Sequence, residues 1–346
     1  MVDTMKALVK HSAGPGARLE QVAIPQPGPG QVLIKVKVAA ICGTDVHIYK
    51  WDAWSAGRIK PPLVFGHEFC GEIVKLGEGV RDVKLGSFVT VEGHFVCGKC
   101  YYCRTGQGHI CQDVEIIGVD TAGCFAQYVL APAENVWHLD ADTPLEVAAI
   151  HDPYGNAVHT TLIDEIAGNT VLVTGCGPIG VIAVAIAKKA GASRVFASDV
   201  NDYRLDLAKK MGADIIYNVT QVNLVEEIMK ETDGAGVDAL LEMAGHPAAI
   251  NDGFKVLRKG GWAALLGITP TKKVEIDLND GIIFKGAKVY GINGRLMYKT
   301  WYKMQALLRA GLDLTPMITH RFKLEEFEEA FELAASGNSG KIILYP

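Results

Sequence analysis

The sequence has little excess charge of either sign, which limits the partners it can attract. Its 346 residues include 34 Lys and Arg against 39 Asp and Glu, a formal net charge of −5. This balance supplies no positive field for non-specific binding to nucleic acid or to an acidic membrane, so a small-molecule partner is expected. With 49% hydrophobic and 21% charged residues, the composition is typical of a soluble globular protein.

Signals for export and for membrane insertion are also missing. Met1–Lys10 contains no apolar run of the kind that a signal peptide needs. Thr170–Ala187 is uncharged and about long enough to span a bilayer, but Gly175, Pro178 and Gly180 interrupt it and favour a strand, a turn and a buried helix. We therefore expect a cytoplasmic protein. In that reducing compartment, the eight cysteines favour metal binding over disulfides.

Two regions with different patterns follow one another along the chain. In the first ~150 residues, short β-branched runs separated by turn signals predict a β-barrel-like domain. These runs are Val32–Val38, Gly71–Leu76, Ser87–Val91 and Phe125–Leu130. After Pro153, strand and helix patterns alternate and predict a doubly wound parallel sheet of the α/β class. The strands are Thr170–Thr174, Arg194–Ser198, Asp214–Tyr217, Val237–Leu241, Gly261–Leu266 and Lys288–Tyr290, and the helices include Ile179–Ala190, Asp202–Met211 and Leu224–Thr232.

The length of the chain predicts about two domains, and we place their boundaries by pattern. Residues 1–153 form the first domain and residues 154–293 the second. The tail contains a helical segment, Leu324–Ala335, and a strand, Lys341–Tyr345, which have no place in a sheet that already has its six strands. Residues 294–346 are therefore expected to return to the first domain.

A Gly-x-Gly-x-x-Gly motif, Gly175–Gly180, follows the first strand of the parallel sheet and opens a helix. A chain with 38 glycines produces this spacing by chance, but the strand–turn–helix context is the one that dinucleotide binding requires. Glycine lets the backbone approach a pyrophosphate, whose charge then lies at the helix N-terminus. We predict that Gly175, Gly177 and Gly180 bind a nicotinamide dinucleotide.

Asp199 ends the second strand, nineteen residues after Gly180. A carboxylate there accepts hydrogen bonds from the adenosine ribose and repels a 2′-phosphate, which favours NAD over NADP. Two observations leave room for other readings. Arg204 is close enough in sequence to pair with a 2′-phosphate, and Asp199 could simply cap the helix that starts near Asn201.

Four closely spaced cysteines form the most specific local pattern in the chain. Cys97, Cys100, Cys103 and Cys111 can close a tetrahedral shell around Zn²⁺ with no open position, as structural zinc sites do. An Fe–S cluster can also use four cysteines, but the remaining motifs indicate hydride chemistry and so favour zinc. We predict a structural zinc ion that stabilises a loop and takes no part in turnover.

Cys42–His47 and Gly66–Gly71 supply a second group of candidate ligands. Taken singly, each residue has an ordinary explanation as a buried side chain or a helix cap, and Thr44 or Asp45 would suit a cap. Together, the side chains of Cys42, His67 and Glu68 offer zinc a thiolate, an imidazole and a carboxylate. Three protein ligands leave a fourth position for water or substrate, as in catalytic sites. The cysteines outside both groups are expected to be buried: Cys70, Cys124 and Cys176.

The order of these motifs resembles that of the zinc-containing medium-chain alcohol dehydrogenases, and the match runs essentially to Lys341. This resemblance implies a β-rich GroES-like catalytic domain and a Rossmann domain that binds NAD. More narrowly, the chain is similar to the threonine dehydrogenases of that family. The supporting segments are Arg58–Pro62, Val91–His94, Asp152–Ala157, Leu265–Ile268, Thr300–Tyr302 and Thr315–Phe322.

The same resemblance implies a role for individual residues. Cys42, His67 and Glu68 would bind the catalytic zinc. The remaining catalytic assignments are Thr44 and His47 in a proton relay, Asp152 near the metal without necessarily binding it, and His94 beside the substrate. Residues implied to line the NAD site, besides the glycines, are Ile179, Asp199, Arg204, Leu266, Gly267, Ile268, Ile292 and Asn293.

The reaction that this resemblance implies is oxidation of the C3 hydroxyl of L-threonine to 2-amino-3-oxobutanoate, with hydride transfer to NAD. The resemblance also implies a homotetramer, built through the edge of the sheet. Two alternatives remain open: a polyol or 2,3-butanediol dehydrogenase with the same zinc and NAD, and a zinc-stabilised NAD-binding regulator without turnover. The complete set of catalytic residues disfavours the regulator, because a sensor needs no open metal position.

Overall fold

The computed structural model describes residues 3–271 and 273–346. Its strands are β1 (Thr4–Lys10), β2 (Arg18–Ala23), β3 (Gln31–Ala40), β4 (Leu63–Val64), β5 (Glu68–Leu76), β6 (Phe88–Val91), β7 (His94–Phe95), β8 (Glu115–Ile116), β9 (Tyr128–Pro132), β10 (Val136–His138), β11 (Thr170–Thr174), β12 (Arg194–Asp199), β13 (Ile215–Asn218), β14 (Val237–Glu242), β15 (Leu257–Leu265), β16 (Lys288–Gly291), β17 (Ile318–Lys323) and β18 (Lys341–Tyr345).

Its α-helices are α1 (Gly43–Lys50), α2 (Ala53–Arg58), α3 (Tyr101–Arg104), α4 (Leu145–Ala149), α5 (His151–Thr161), α6 (Pro178–Lys189), α7 (Asp202–Lys210), α8 (Leu224–Glu231), α9 (Pro247–Val256), α10 (Lys299–Arg309) and α11 (Phe327–Ser336). Short 3₁₀ helices occupy Gly108–Ile110, Ala133–Asn135, Thr315–Met317 and Leu324–Glu326, and Asn279–Ile283 is π-helical. Within the described ranges, no helix combines the length and apolar character needed to cross a membrane.

The chain divides into two compact units. One consists of the residues up to Asp152 together with Ile318–Pro346, and the other of Pro153–Met317. The C-terminal segment joins the first unit because β18 pairs antiparallel with β3 at Ala39 and Ala40, and parallel with β17. The predicted boundaries, with residues 1–153 and 294–346 in a catalytic domain and residues 154–293 in an NAD-binding domain, remain predictions.

The first unit is built on a seven-stranded mixed sheet in the order β10-β6-β5-β3-β18-β17, with β9 also paired to β3. A three-stranded sheet, β2-β1-β4, completes its main strands. The central strand β3 alternates buried apolar residues such as Val32, Ile34 and Val36, which pack in one core with Phe69 and Phe125. The expected β-rich domain is thus confirmed.

One strand of this unit differs from its prediction at Phe125–Leu130. The observed strand β9 begins only at Tyr128 and pairs with β3. The preceding residues bond to β1 instead, since the N–H of Leu8 donates to the carbonyl of Phe125 at 2.7 Å. The apolar run therefore crosses from one sheet to the other, which its residue pattern alone does not reveal.

The second unit contains a six-stranded sheet in the order β13-β12-β11-β14-β15-β16, with every pairing parallel. The order reverses between β12–β11 and β14, as it does in dinucleotide-binding sheets. Both β11 and β14 are buried along nearly their full length, because helices cover both faces of the sheet. The predicted doubly wound sheet is confirmed.

Candidate metal and cofactor sites

Cys42, His67 and Glu68 converge in the first unit, although 25 positions of sequence separate Cys42 from His67. One ligand atom from each side chain lies within 4.8 Å of the others. His67 and Glu68 are buried, and Cys42 is partly exposed. A soft thiolate, an imidazole and a carboxylate at these separations can share one divalent cation and leave part of its coordination shell open.

Local backbone geometry brings these ligands together. Cys42 directly precedes α1 at the end of β3, with extended φ and ψ of −99° and 160°. His67 follows Gly66, whose φ of +93° turns the chain into β5. A Cβ at Gly66 would also lie 2.6 Å from the ring of Phe125, so only glycine fits both the turn and the packing.

Asp45 organises the first two ligands. Its Oδ2 accepts the backbone N–H of Cys42 at 2.9 Å, and its Oδ1 lies 3.4 Å from Nδ1 of His67. With Nδ1 directed at a carboxylate, Nε2 is the nitrogen left for a metal, as in many metal-binding histidines. Cys42 occupies the N-cap position that the sequence also allowed for Asp45, while Asp45 completes the capping box from the third position of α1 and is a partner of the site.

Glu68 is paired with a lysine from the far end of the chain. The ammonium of Lys341, in β18, forms an ion pair with Glu68 Oε2 and donates to the carbonyl of Ile41 at 2.7 Å. Burial raises the pKa of Glu68, while Lys341 acts in the opposite direction and Asp152 adds to the increase. Burial by itself would lower the pKa of His67, but Asp45 and Cys42 raise it well above its usual value.

The donor set fits a metal cation. Glu68 Oε1 is buried and has no hydrogen-bond partner among the described residues, the state of an oxygen that a cation would satisfy. Asp45 and Glu68 are almost fully buried carboxylates, and both approach His67 or Cys42. Such concentrated negative charge favours a bound cation.

The other predicted catalytic residues also belong to the first unit. Thr44 lies in the first turn of α1, where its Oγ1 is 3.9 Å from Cys42 Sγ. His47 is one turn further on, with 60% of its side chain exposed. Asp152 is near enough to influence the pKa of Glu68, but it does not belong to the ligand group found among the described residues.

His94 is held rigidly at the start of β7. Its Nδ1 lies 2.8 Å from Oε1 of the fully buried Glu92, which also accepts the backbone N–H of His94 at 3.0 Å. Asn135 donates to the carbonyls of both residues, at 2.8 and 2.9 Å. This arrangement leaves Nε2 of His94 as the nitrogen available to another group.

The second cluster consists of Cys97, Cys100, Cys103 and Cys111, all as free thiols. Their Sγ atoms are 3.5–3.9 Å apart in the pairs Cys100–Cys103, Cys100–Cys111 and Cys97–Cys111. Sulfurs at about 2.3 Å from a tetrahedral zinc would be roughly 3.8 Å from one another, so the cluster has the right dimensions. Backbone N–H groups of Cys103 and Gln112 lower the pKa of Cys100 to about 6, which favours the thiolate.

In the second unit, the Gly175–Gly180 turn has the close contacts that glycine alone permits. Gly175 has a φ of +84°, and a Cβ at Gly180 would lie 1.9 Å from the carbonyl oxygen of Gly175. Gly177, directly before α6, has no atom within 4 Å of the place where a Cβ would be. The turn is therefore tightly packed on one side and open at the helix N-terminus, where a pyrophosphate would bind.

Asp199 supports this turn as well as ending β12. Its Oδ2 accepts the N–H of Cys176 at 2.7 Å, and its Oδ1 accepts the N–H of Asn201 at 3.0 Å. The cap of α7 is Asn201, whose side chain accepts from the N–H of Arg204, so the capping alternative for Asp199 is wrong. The Arg204 guanidinium is 4.0 Å from Asp199 Oδ2.

The remaining predicted cofactor residues lie at the same edge of the parallel sheet. Leu266, Gly267 and Ile268 follow β15, and Ile292 and Asn293 follow β16. The carboxyl ends of parallel strands share one edge, so these residues and the glycine turn belong to one side of the unit. The side chain of Ile268 is 93% exposed, which is unusual for isoleucine and suits contact with a ligand.

Sequence reasoning missed Glu242, which shapes this edge. It is fully buried at the end of β14 and accepts the N–H groups of Ala244 at 3.0 Å and Gly245 at 2.8 Å. Its position directly after a predicted parallel strand was the only feature of the sequence that could have indicated a role at this edge. The expected burial of the cysteines outside both clusters is confirmed for Cys70, Cys124 and Cys176.

Comparison with known proteins agrees with this geometry. A family model described as the alcohol dehydrogenase GroES-like domain matches residues 28–141, and one described as zinc-binding dehydrogenase matches residues 178–310. The chain belongs to the zinc-binding alcohol dehydrogenase family. An L-threonine 3-dehydrogenase from Symbiobacterium thermophilum is 50% identical over 348 residues, with 100% of this chain and 99% of that protein covered. Further relatives that are 47–50% identical carry the same name.

Solved structures show the same fold. A protein from Sinorhizobium meliloti 1021, described as a zinc-binding dehydrogenase bound to NADP, has a TM-score of 0.92 at 30% identity and covers 99% of this chain and 100% of its own. The 2R,3R-butanediol dehydrogenase of Bacillus subtilis has a TM-score of 0.89 at 29% identity, with 99% of each chain covered.

Proposed function

We propose that this protein oxidises the C3 hydroxyl of L-threonine to 2-amino-3-oxobutanoate, with zinc and NAD. The observation that carries the proposal is the 50% identity to an L-threonine 3-dehydrogenase over the full chain. The convergence of Cys42, His67 and Glu68 supports it, because an alcohol dehydrogenase of this family needs a metal site with an open position.

Cys42, His67 and Glu68 would hold the catalytic zinc, with Asp45 fixing the imidazole and Lys341 balancing the charge of Glu68. When bound, zinc would lower the pKa of the substrate hydroxyl and NAD would accept the hydride. Asp152 would shape the electrostatics near Glu68 without entering the ligand group. Cys97, Cys100, Cys103 and Cys111 would hold the second, structural zinc.

The chain's own side chains would handle the proton and the substrate. Thr44 Oγ1, close to Cys42, would take the hydroxyl proton, and His47 would be its final protein acceptor before it reaches water. His94, fixed by Glu92, would contact the substrate through Nε2. A nicotinamide-dependent enzyme with eight free cysteines is suited to the reducing cytoplasm, where we propose that it acts.

We propose NAD as the dinucleotide, bound by the residues at the carboxyl edge of the parallel sheet. The buried carboxylate of Asp199 supports this preference, since it would repel a 2′-phosphate. The neighbouring Arg204 and the NADP-bound structural relative are the reasons to test it.

The first prediction concerns substrate and cofactor. The zinc-loaded protein should form NADH from NAD and L-threonine faster than from D-threonine, sorbitol or 2,3-butanediol, and NADP should support a lower kcat/KM. Chelation should abolish the activity and added Zn²⁺ should restore it. Initial rates of NADH absorbance measure each of these. Turnover of only a diol or polyol would support an alcohol dehydrogenase but exclude threonine as its substrate. No turnover with both zinc ions present would favour a zinc-stabilised NAD-binding regulator.

We further propose that copies of the chain associate through the β16 edge of the parallel sheet, as part of a homotetramer. Strand β16 ends the sheet order and has no strand paired to its outer edge among the described residues, and such an edge can pair with another chain. The segment leading into it exposes Leu278, Ile283 and Phe284, and Val289 on the strand is also exposed. Apolar side chains beside an open strand edge suit a protein interface.

The second prediction follows from this edge. Phe284→Asp should reduce the assembly to smaller species, because it places a charge among apolar side chains at the interface. Sedimentation velocity measures the size distribution. Tyr101→Asp, which changes an equally exposed aromatic residue in the first unit, is the matched control and should leave the assembly intact. Wild-type protein that sediments as a monomer would contradict the proposal.

A further inference from the structure

Asp52, which the sequence motifs do not include, lies directly beside His47. Its Oδ2 is 2.6 Å from Nδ1 of His47, while its Oδ1 accepts the N–H of Ser55 at 3.0 Å and caps α2. One carboxylate thus serves two groups, with one oxygen for each. Because the cap fixes the carboxylate, the carboxylate can in turn fix the imidazole.

The end of α1 creates this contact. Trp51 adopts a left-handed conformation with φ of +58°, and its N–H donates to the carbonyl of His47 at 2.9 Å. This reversal brings Asp52, five positions after His47, back against the last turn of the helix. The ring of Trp54 lies edge-on to that of His47 at 6.3 Å. The imidazole is therefore held by Asp52 and Trp54 although most of it is exposed.

We propose that Asp52 is the positioning residue of the proton relay: it holds the Nδ1–H tautomer of His47 and leaves Nε2 as the proton-accepting atom. The proposal rests on the relay in the proposed function. A carboxylate only accepts hydrogen bonds, so a neutral imidazole beside it must place its single N–H at Nδ1. The Ser55 N–H holds the pKa of Asp52 below its usual range against the opposing effect of burial, and His47 lowers it further, which keeps the carboxylate ionised.

The proton balance is simple. Nε2 accepts one proton, and the resulting imidazolium keeps its Nδ1–H on the Asp52 carboxylate. The same proton then leaves Nε2 for bulk water, which reaches the exposed ring directly. Asp52 stays ionised throughout, as the carboxylate does in serine-protease triads.

Two substitutions separate this role from capping. Asp52→Asn retains an oxygen for the Ser55 N–H, since asparagine is a good cap, but its amide would donate to Nδ1 of His47 and force the N–H onto Nε2. Asp52→Ala loses the cap and leaves His47 free to adopt either tautomer. We therefore expect kcat to decrease in the order wild type, Asp52→Ala, Asp52→Asn. Thermal stability should instead be lowest for Asp52→Ala.

The expected size of the effect is modest because the pair is exposed. In Asp52→Asn, kcat for L-threonine should fall about three- to tenfold, the equivalent of one hydrogen bond, with KM unchanged. Asp313→Asn is the matched control and should behave as wild type, because Asp313 also accepts a nearby backbone N–H, that of Thr315, and has no histidine partner in its described contacts. A kcat for Asp52→Ala below that of Asp52→Asn would mean that capping alone matters and would overturn the proposal.

A spectroscopic measurement tests the tautomer without turnover. In ¹⁵N-histidine-labelled protein at about pH 8.5, where ordinary histidines are neutral, His47 should show a protonated Nδ1 in the wild type and a protonated Nε2 in Asp52→Asn. The His47→Asn spectrum assigns the signals. The same tautomer in both proteins would overturn the proposal. Full activity of His47→Asn would overturn the proposal together with the relay, whereas the dehydrogenase assignment is tested separately by NADH formation.

Discussion

Replacing Cys42 by alanine should lower kcat for L-threonine oxidation by about a thousandfold or more, because the metal that activates the hydroxyl loses its soft ligand. Cys42 supplies the thiolate of the Cys42–His67–Glu68 group, and the two remaining side chains cannot bind Zn²⁺ as tightly. The fold should survive, since Cys42 is only partly buried and Asp45 still accepts the N–H of residue 42.

Zinc content provides the second readout of this prediction. Mass spectrometry under native conditions should show two zinc ions per wild-type chain and one in Cys42→Ala. The remaining ion should be the one bound by the four-cysteine cluster. Cys70→Ala is the matched control. Its thiol is buried, donates to the carbonyl of Leu145 at 3.1 Å and lies outside both clusters, so activity and zinc content should be retained. Activity in Cys42→Ala near the wild-type level would exclude Cys42 as a catalytic ligand.

Cys103→Ser should produce the opposite combination, a large loss of stability in the lobe of residues 97–111 with the catalytic group intact. Structural zinc contributes folding free energy directly, on the order of 10 kcal/mol in zinc-finger peptides, and this lobe has little else to hold it. Its only regular elements are the four-residue α3 and a single 3₁₀ turn. Without the metal, no coordination bond holds the four thiols at their 3.5–3.9 Å spacing.

Limited trypsin digestion measures this effect at defined bonds. Lys99 and Arg104 are exposed within the lobe and should be cleaved rapidly in Cys103→Ser, but slowly in the zinc-loaded wild type and in Cys70→Ala. Zinc content should fall from two ions to one, with the remaining ion at the catalytic group. Equal resistance to trypsin in Cys103→Ser and the wild type would show that the lobe does not depend on metal.

The four-cysteine cluster and the glycine turn could be predicted because their members are close in sequence. Cys97–Cys111 spans fifteen residues, and Gly175–Gly180 is a single turn, so spacing alone constrains their geometry. The doubly wound parallel sheet was predicted from the alternation of strands and helices, whereas its strand order was seen only in the structure. In the first unit, Phe125–Leu130 was predicted less well because its pairing changes from β1 to β3 within the run.

The pairings of charged residues that lie far apart in the chain could not be predicted from the sequence. Lys341 lies 273 positions after Glu68, and only the pairing of β18 with β3 brings its ammonium to that carboxylate. Glu92 and Asp52 are close in sequence to His94 and His47, yet a local strand turn and a left-handed residue decide that they meet. Side-chain direction depends on such backbone details, which composition and spacing do not encode.

The sequence by itself determined which chemistry this chain can perform: local spacing specifies ligand type and a glycine turn, because short segments have few backbone solutions. The tertiary structure alone decided how that chemistry is arranged. Packing between distant strands buries Glu68 and pairs it with Lys341, and folding of the first unit brings Asp45 to His67. Local turns place a carboxylate beside each of His47 and His94. In the low-dielectric interior around His67 and Glu68, such contacts set the charge and orientation of each group.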